Sequence, residues 1–334
     1  MLHHQCGAGS ADETALRPGV IPNSIAIEVQ ELRKSYGARL AVECVTLTVN
    51  AGEVVALLGP NGAGKTTTLS ILATLVEPDA GTVRIAGFDA RTHRAAIRRR
   101  LGYVPQSIAL YPSLSAAQNL QLFLRVHGLG RRAARDTGQQ ALERAGLAER
   151  SNDPVAILSG GMQRRLNLAC GIAHQPEVIL LDEPAVGVDP QSRDHILRTI
   201  RGLAKAGAAA IYSTHYMEEV ERLCDRVLLI NRGNVIASGT VAEVIAMAGG
   251  RPRIEFTFSA EAPAAWYEGI DALELPCAAG RMALALASID AVPELLERAR
   301  KITGTLPEFS IRTPNLSDAF MTLTGHSLHE GEPD

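Results

Sequence analysis

The chain has 334 residues, enough for one large α/β domain and a smaller appendage, because single hydrophobic cores usually stop growing at about 250–300 residues. Hydrophobic residues make up 46% of the chain and charged residues 21%, a composition that excludes an intrinsically disordered protein. The formal net charge of -3 gives no broad positive field, which argues against a protein that binds nucleic acid by bulk electrostatic attraction.

The cysteines and the hydropathy pattern limit the class of protein further. The five cysteines are scattered, without a C-x-x-C pair, so the sequence indicates neither a disulfide framework nor a zinc site, and it fits a reducing cytoplasm. No apolar run approaches the roughly 18–20 residues needed to cross a bilayer, so we expect no membrane-spanning segment. Residues 1–24 contain Gly, Pro, Asp and Glu without an apolar core, which predicts a flexible N-terminal extension and not a secretory signal.

The first predicted elements are strands around a glycine-rich turn. Strand-like segments at 26–29 and 47–49 precede the apolar run Val54–Leu58, which is typical of a strand buried on both faces of a sheet with parallel neighbours. After the turn, the pattern predicts a helix over 66–76 and a strand over 81–85.

From about residue 91 to residue 173, apolar residues recur at helical spacing with few strand signals, which predicts a helical insertion. Three short apolar runs then follow, at 178–181, 209–213 and 227–230. Because helix-length segments separate these runs, the alternation indicates an α/β sheet with right-handed crossovers.

The composition changes at 249–252, where Gly, Gly, Arg and Pro follow one another, and this predicts a boundary between a domain over 25–248 and an appendage over 249–334. The appendage has strand-like and helix-like segments at 253–258, 282–287, 292–302 and 316–323. We therefore expect a small α+β unit there.

The glycine-rich turn from Gly59 to Thr66 matches G-x-x-x-x-G-K-[ST], between a predicted strand and a predicted helix. The glycines let successive backbone N–H groups point at an anion, and the helix adds its positive N-terminal end. In this pattern Lys65 reaches the β- and γ-phosphates of a nucleotide, and the Thr66 hydroxyl coordinates Mg²⁺. The predicted nucleotide-binding residues of this loop are Gly59, Pro60, Asn61, Gly62, Ala63, Gly64, Lys65, Thr66 and Thr67.

Two carboxylates, Asp182 and Glu183, follow the apolar run at 178–181, at the strand end where open α/β sheets bind ligands. Asp182 is positioned to hold the Mg²⁺ hydration shell, and Glu183 to polarise or deprotonate an attacking water. The alternative is a pair of acids that only caps the next helix.

A third motif indicates which class of nucleoside triphosphatase this is. The segment from Leu158 to Gln163, read Leu-Ser-Gly-Gly-Met-Gln and followed by Arg-Arg, strongly resembles the signature sequence of ATP-binding cassette (ABC) ATPases. Physically, Ser159, Gly160 and Gly161 at a helix start form a second anion-binding helix end. The resemblance implies that the signature of one subunit covers the nucleotide of the other, so that a homodimer sandwiches ATP.

The resemblance covers about residues 25–244 and assigns four further residues. It implies that Tyr36 stacks on adenine and that Gln106 contacts Mg²⁺ and water and senses the membrane subunit. It also implies that Asp189 belongs to a loop crossing the dimer interface and that His215 contacts the γ-phosphate.

Two residues differ from the common family pattern, and they bear on the subtype of transporter. Met162 stands where many members have Gln after the glycines, and Ala185 replaces a frequent Thr after Glu-Pro. Met162 with the following Arg-Arg is similar to an exporter branch, and residues 315–325 look like the C-terminal tail of single-cassette bacterial exporters for drugs, lipids or polysaccharide. That tail either docks on a partner or second subunit, or simply caps its own domain.

The resemblance implies a P-loop NTPase of the ABC cassette type, with a mixed sheet, a helical insertion and the small C-terminal appendage. It implies ATP hydrolysis with Mg²⁺, with Glu183, His215 and Gln106 as catalytic residues and Thr66, Gln106 and Asp182 at the metal. We expect a cassette on the cytoplasmic face of the membrane, peripheral to a separate multi-span permease, with no nucleic acid partner. An importer, a soluble cassette in translation or DNA repair, and a small-molecule kinase remain as alternatives.

Overall fold

The computed structural model describes residues 24–258, 266–275 and 281–324. The predicted N-terminal extension lies outside these ranges except for Ser24. The chain divides into two compact units, Met1–Val235 and Ile236–Asp334.

The first unit contains most of the secondary structure. Its strands are β1 (Ile25–Tyr36), β2 (Arg39–Asn50), β3 (Val54–Leu58), β4 (Ala80–Ile85), β5 (Phe88–Asp89), β6 (Leu101–Val104), β7 (Val178–Asp182), β8 (Ala209–Thr214) and β9 (Arg226–Asn231), and β10 (Asn234–Gly239) begins in it. Its helices are α1 (Lys65–Leu72), α2 (Arg94–Arg100), α3 (Ala116–Val126), α4 (Arg131–Arg144), α5 (Gly160–Ile172), α6 (Pro190–Lys205) and α7 (Met217–Leu223).

The predicted mixed sheet is confirmed. Its strand order is β5-β4-β1-β2-β10-β9-β3-β8-β7-β6, which β10 enters through Asn234 beside Cys44 of β2. Strands β9, β3, β8, β7 and β6 are parallel neighbours, whereas β2, β1, β4 and β5 pair antiparallel. Leu58 lies opposite Thr214, and Asp182 opposite Ser213, so β3, β7 and β8 end at the same edge of the sheet.

The parallel strands β3, β7 and β8 are buried on both faces, which explains their continuous apolar runs. On one face, Leu69 and Leu72 of α1 join a buried cluster with Leu57 of β3. On the other, Ile196 and Ile200 of α6 join a second cluster. The insertion has its own core, which includes Leu120, Leu124, Leu142 and Leu166 of α3, α4 and α5.

The second unit is the expected small α+β appendage. Its elements are α8 (Val241–Met247), β11 (Arg253–Thr257), β12 (Ala272–Leu275), β13 (Arg281–Leu286), α9 (Val292–Thr303), β14 (Glu308–Arg312) and α10 (Leu316–Thr324). The four strands form an antiparallel sheet in the order β12-β13-β11-β14. Leu295 and Ala299 of α9 pack in one core with Ile254 and Phe256 of β11.

Three details differ from the sequence expectations. The two units divide before the boundary predicted at 249–252, because α8 contacts α10 and so groups with the C-terminal part. The helix predicted over 66–76 ends at Leu72, since Thr74 takes a left-handed backbone with a φ of 59°. The segment predicted as a helical insertion over 91–173 contains β6, which belongs to the main sheet.

Candidate active site

The glycine loop between β3 and α1 allows a close backbone approach that side chains would block. Gly64 has a φ of 106°, and a Cβ there would lie 2.5 Å from the Ala41 carbonyl oxygen. A Cβ on Gly59 would collide with the backbone carbonyl of Ile230. Thr66, in the first turn of α1, is exposed to solvent. The loop therefore presents backbone and a hydroxyl, as phosphate binding requires.

Lys65 is buried at the start of α1, with 5% of its surface exposed. Its ammonium Nζ donates hydrogen bonds to the carbonyl oxygens of Gly59, at 2.6 Å, and Pro60, at 3.1 Å. Burial lowers the pKa of Lys65, and the nearby Glu183 carboxylate, 3.5 Å away, opposes that shift. Oxygen atoms of the loop and of Glu183 thus hold the positive charge at the mouth of the loop.

Glu183 is the point where the predicted catalytic residues meet. Gln106 Nε2 donates to Glu183 Oε2 at 3.2 Å, and His215 Nδ1 lies 3.2 Å from Glu183 Oε1. Lys65 makes the third contact with this carboxylate. Glu183 has a φ of 43°, uncommon outside glycine and typical of residues held in place by function. Each of these residues follows the carboxyl end of a parallel strand or the glycine loop.

A buried serine, Ser213, supports both acids, and no sequence motif predicted this role. Ser213 Oγ donates a 2.6 Å hydrogen bond to Asp182 Oδ1 and accepts one from the Glu183 backbone N–H at 3.1 Å. Asp182 is 1% exposed and Ser213 is fully buried. The position of Ser213 two residues before His215 was a signal in the sequence, but its link to Asp182 depends on the pairing of β7 with β8.

A second missed group, Glu219, fixes the loop that carries His215. Its Oε2 accepts hydrogen bonds of 2.8 Å from Tyr212 Oη and from Thr214 Oγ1. Its Oε1 lies 3.5 Å from Arg193 Nε on α6. Glu219 is 3% exposed, so this carboxylate ties β8, α7 and α6 together inside the protein.

The signature helix α5 holds the segment that carries Gln106. Arg164, which is buried, donates from its guanidinium to the backbone carbonyl of Gln106. Asn167 Oδ1 accepts from the backbone N–H of Ala109 at 3.1 Å. The exposed Gln106 side chain is therefore attached to α5 through its own backbone.

Tyr36 ends β1 and is 49% exposed, with Lys34 Nζ 5.6 Å from its ring centroid. The hairpin that follows Tyr36 borders the glycine loop. A guanidinium nitrogen of Arg39 lies 3.5 Å from the position that a Cβ on Gly62 would occupy. An exposed aromatic ring on this hairpin fits a base bound beyond the phosphates.

The signature and the Asp189 loop are neighbours within one chain. Ser159 caps α5 by accepting from the Met162 backbone N–H at 3.3 Å, and a Cβ on Gly161 would lie 2.6 Å from Asp189 Oδ2. Asp189 caps α6, and the backbone N–H of Ser192 lowers the pKa of its carboxyl. Among the described residues, no hydrogen bond or ion pair joins 159–161 to the glycine loop.

Within the described ranges, the side chains offer neither a metal-binding cluster nor a membrane-spanning helix. In that part of the chain, no group of three or more His, Cys, Asp or Glu side chains is arranged to hold a metal ion. None of the helices described there is both long enough and apolar enough to cross a membrane.

Comparison with known proteins identifies the family. Residues 42–186 match the family model described as ABC transporter. The chain is 37% identical to the linearmycin resistance ATP-binding protein LnrL of Bacillus subtilis, over 91% of this chain and 100% of that protein. It is 36% identical to the Nod factor export ATP-binding protein I of Ralstonia nicotianae, over 94% and 98%.

Solved structures give the same result. The ATP-binding subunit of an ABC transporter superposes with a TM-score of 0.62 at 31% identity, covering 67% of this chain and 93% of that one. A dimeric ATP-binding cassette in a post-hydrolysis state, bound to ADP and Pi, superposes with a TM-score of 0.60 at 26% identity, covering 64% and 98%. The chain belongs to the ABC transporter family and is an ATP-binding, ATP-hydrolysing cassette of that family.

Proposed function

We propose that two copies of this chain bind Mg·ATP and close as a homodimer with the nucleotides between them. In this dimer, Ser159 and the backbone amides of Gly160 and Gly161 contact the γ-phosphate bound at the Lys65 loop of the other copy. The support is physical: each chain has two anion-binding helix ends but a single lysine loop. Ser159 and Gly160 are exposed and available to a second molecule. One solved relative is itself a dimer bound to ADP and Pi.

Hydrolysis is assigned to the cluster around Glu183, and the convergence of Gln106, His215 and Lys65 on its carboxylate carries this assignment. Glu183 accepts a proton from, or polarises, the water that attacks the γ-phosphate. His215 orients Glu183 and contacts the γ-phosphate.

We assign the metal to the Thr66 hydroxyl, Asp182 and Gln106, which would hold it together with the phosphates. Asp189 is assigned to the dimer interface. The single carboxylate in this set suits Mg²⁺, which usually uses one or two carboxylates plus phosphates and water. When bound, Mg²⁺ neutralises phosphate charge. Tyr36 stacks on adenine.

The cassette is proposed to drive an exporter, at the cytoplasmic face of the membrane, through a separate multi-span permease. Relatives named for drug resistance and for Nod factor export support the direction. The segment after Gln106 supports a docking surface, because Tyr111 is 54% exposed and Ile108 37%. The C-terminal unit, Ile236–Asp334, is proposed as a further docking element.

Mixing two inactive variants tests the sandwich. Lys65→Ala removes the phosphate lysine, and Ser159→Arg blocks the signature helix end. In a sandwich dimer, the mixed pair contains one site built from the intact Lys65 loop of one copy and the intact signature of the other. ATP hydrolysis should therefore appear on mixing. A mixture as inactive as its components, with wild-type turnover per chain independent of concentration, would contradict the proposal.

Affinity purification from membranes tests the coupling to transport. A tagged chain should bring down a polypeptide with several membrane-spanning segments, each about 20 mainly apolar residues long. Ile108→Asp with Tyr111→Asp should release that polypeptide while leaving ATP hydrolysis by the cassette intact. Recovery of the cassette without any membrane protein would count against the permease.

A further inference from the structure

A cavity of about 490 Å³ lies between helices α4, α5 and α6, away from the nucleotide loop. Leu168 and Ile172 of α5 and Leu203 of α6 form part of its apolar wall. Its size falls within the range of small-molecule sites, roughly 300–1,000 Å³. It lies where the helical insertion meets the sheet-packing helix α6, and none of the nucleotide-site residues lines it.

The charged lining of this cavity has one sign. Arg144, Arg165 and Arg198 line it, together with His195, whereas no Asp or Glu of the described chain does so. Arg198 is compensated by Asp194, 2.9 Å away. For Arg144 and Arg165, the described residues provide no ion-pair partner.

In the part of the chain that the structure describes, Arg165 has one guanidinium nitrogen with a hydrogen-bond partner and one without. One of its terminal nitrogens donates to the Ala145 carbonyl at 2.7 Å, but its Nε is buried and, within the described residues, has no hydrogen-bond partner. A buried guanidinium donor without an acceptor costs free energy, and the positive charge of Arg165 at the cavity has no carboxylate beside it in the described ranges to offset that cost. The pKa of His195 is lowered, first by burial and then by the positive charges of Arg165 and Arg198.

We propose that this cavity binds a small amphipathic carboxylate, with the carboxylate at Arg165 and Arg144 and the apolar body against Leu168, Ile172 and Leu203. The arginines supply charge-assisted hydrogen bonds, which are stronger than those between neutral groups. The apolar wall supplies hydrophobic burial of the ligand body. Both features are needed, so inorganic phosphate, which lacks the apolar body, should not compete.

Calorimetric titration of the full chain with octanoate, octan-1-ol and octylammonium separates the two contributions. Octanoate should bind about tenfold or more tightly than octan-1-ol, the difference expected for one charge-assisted hydrogen bond. Octylammonium should not bind. Equal affinity for the three ligands, or no binding of octanoate, would overturn the proposal.

Variants locate the binding site. Arg165→Gln should weaken octanoate binding about tenfold or more, whereas Arg132→Gln, an exposed arginine of α4 outside the cavity, should leave it unchanged. Gly202→Leu is a second variant at the cavity, chosen so that a loss of octanoate binding cannot be attributed to misfolding. Gly202 lines the cavity, a Cβ there meets nothing within 4 Å, and leucine favours a helix interior over glycine. This variant should fold at least as stably as wild type and lose octanoate binding; retained binding would place the ligand elsewhere and refute the proposal.

Discussion

Replacing Glu183 by Gln should stop ATP hydrolysis while preserving ATP binding. The amide keeps the shape of the carboxylate but cannot take a proton, and a positioned general base contributes about 10²–10⁴-fold to rate. At about 1.36 kcal/mol for each factor of ten, the barrier should rise by about 2.7–5.4 kcal/mol. Phosphate release under saturating Mg·ATP measures this loss directly.

The contacts of Lys65 set the expected side effect of Glu183→Gln. The change removes the anion 3.5 Å from Lys65 Nζ, but that ammonium keeps its bonds to two loop carbonyls, so the free energy of unfolding should fall by about 1–3 kcal/mol and not more. Nucleotide affinity should stay within severalfold of wild type. A stable ATP-dependent dimer should then accumulate on size-exclusion chromatography.

A neighbouring acid provides the matched control. Glu177 lies just before β7, half exposed, and pairs with Arg100 at 3.2 Å, so Glu177→Gln should leave turnover unchanged. Wild-type turnover in Glu183→Gln would refute the assignment of the base. Loss of ATP binding in that variant would instead show that Glu183 has a mainly structural role at Lys65.

Three further substitutions test the supporting contacts. Ser213→Ala removes the 2.6 Å hydrogen bond to Asp182 and should lower the free energy of unfolding by about 1–3 kcal/mol in urea titration, with reduced turnover. Glu219→Gln should cost about 1–3 kcal/mol and slow hydrolysis more than it weakens ATP binding, whereas the exposed Glu218→Gln should change neither. Gly64→Ala should abolish nucleotide binding, measured by a fluorescent ATP analogue, because its Cβ would meet the loop-bordering carbonyl at 2.5 Å; unchanged affinity would remove the close-approach argument.

Local patterns predicted the elements whose burial is uniform. Every residue of β3 and β7 is buried, so their apolar runs were visible in the sequence. Strands β1 and β2 extend further than predicted, because register shifts between Val29 and Leu32 and between Leu32 and Lys34 interrupt the two-residue alternation. Strand β6 has four residues including Gly102, and its only strong cue is the long-range pairing with β7.

The site residues divide in the same way, into those that a local motif predicts and those whose roles depend on partners elsewhere in the fold. The residues around Lys65 and Glu183 were predicted because short motifs carry them, and the structure brings Gln106 and His215 to Glu183. Ser213 and Glu219 were missed because their roles depend on partners 31 and 5–7 residues away that no motif records. The charge of Glu219 alone indicates nothing, since most glutamates are exposed.

Two connections within one chain join the signature end to the hydrolytic cluster. Along α5, Arg164 holds the backbone of Gln106, whose side chain contacts Glu183. The N-terminus of α6 lies beside Gly161. Arg193 on the same helix contacts the carboxylate of Glu219, which holds the loop that carries His215. A second molecule that pressed on the start of α5 would therefore act on both Gln106 and His215, which contact Glu183. In the proposed dimer, this arrangement would make hydrolysis depend on closure, because the two contacts with Glu183 are adjusted from the same surface that the other copy covers.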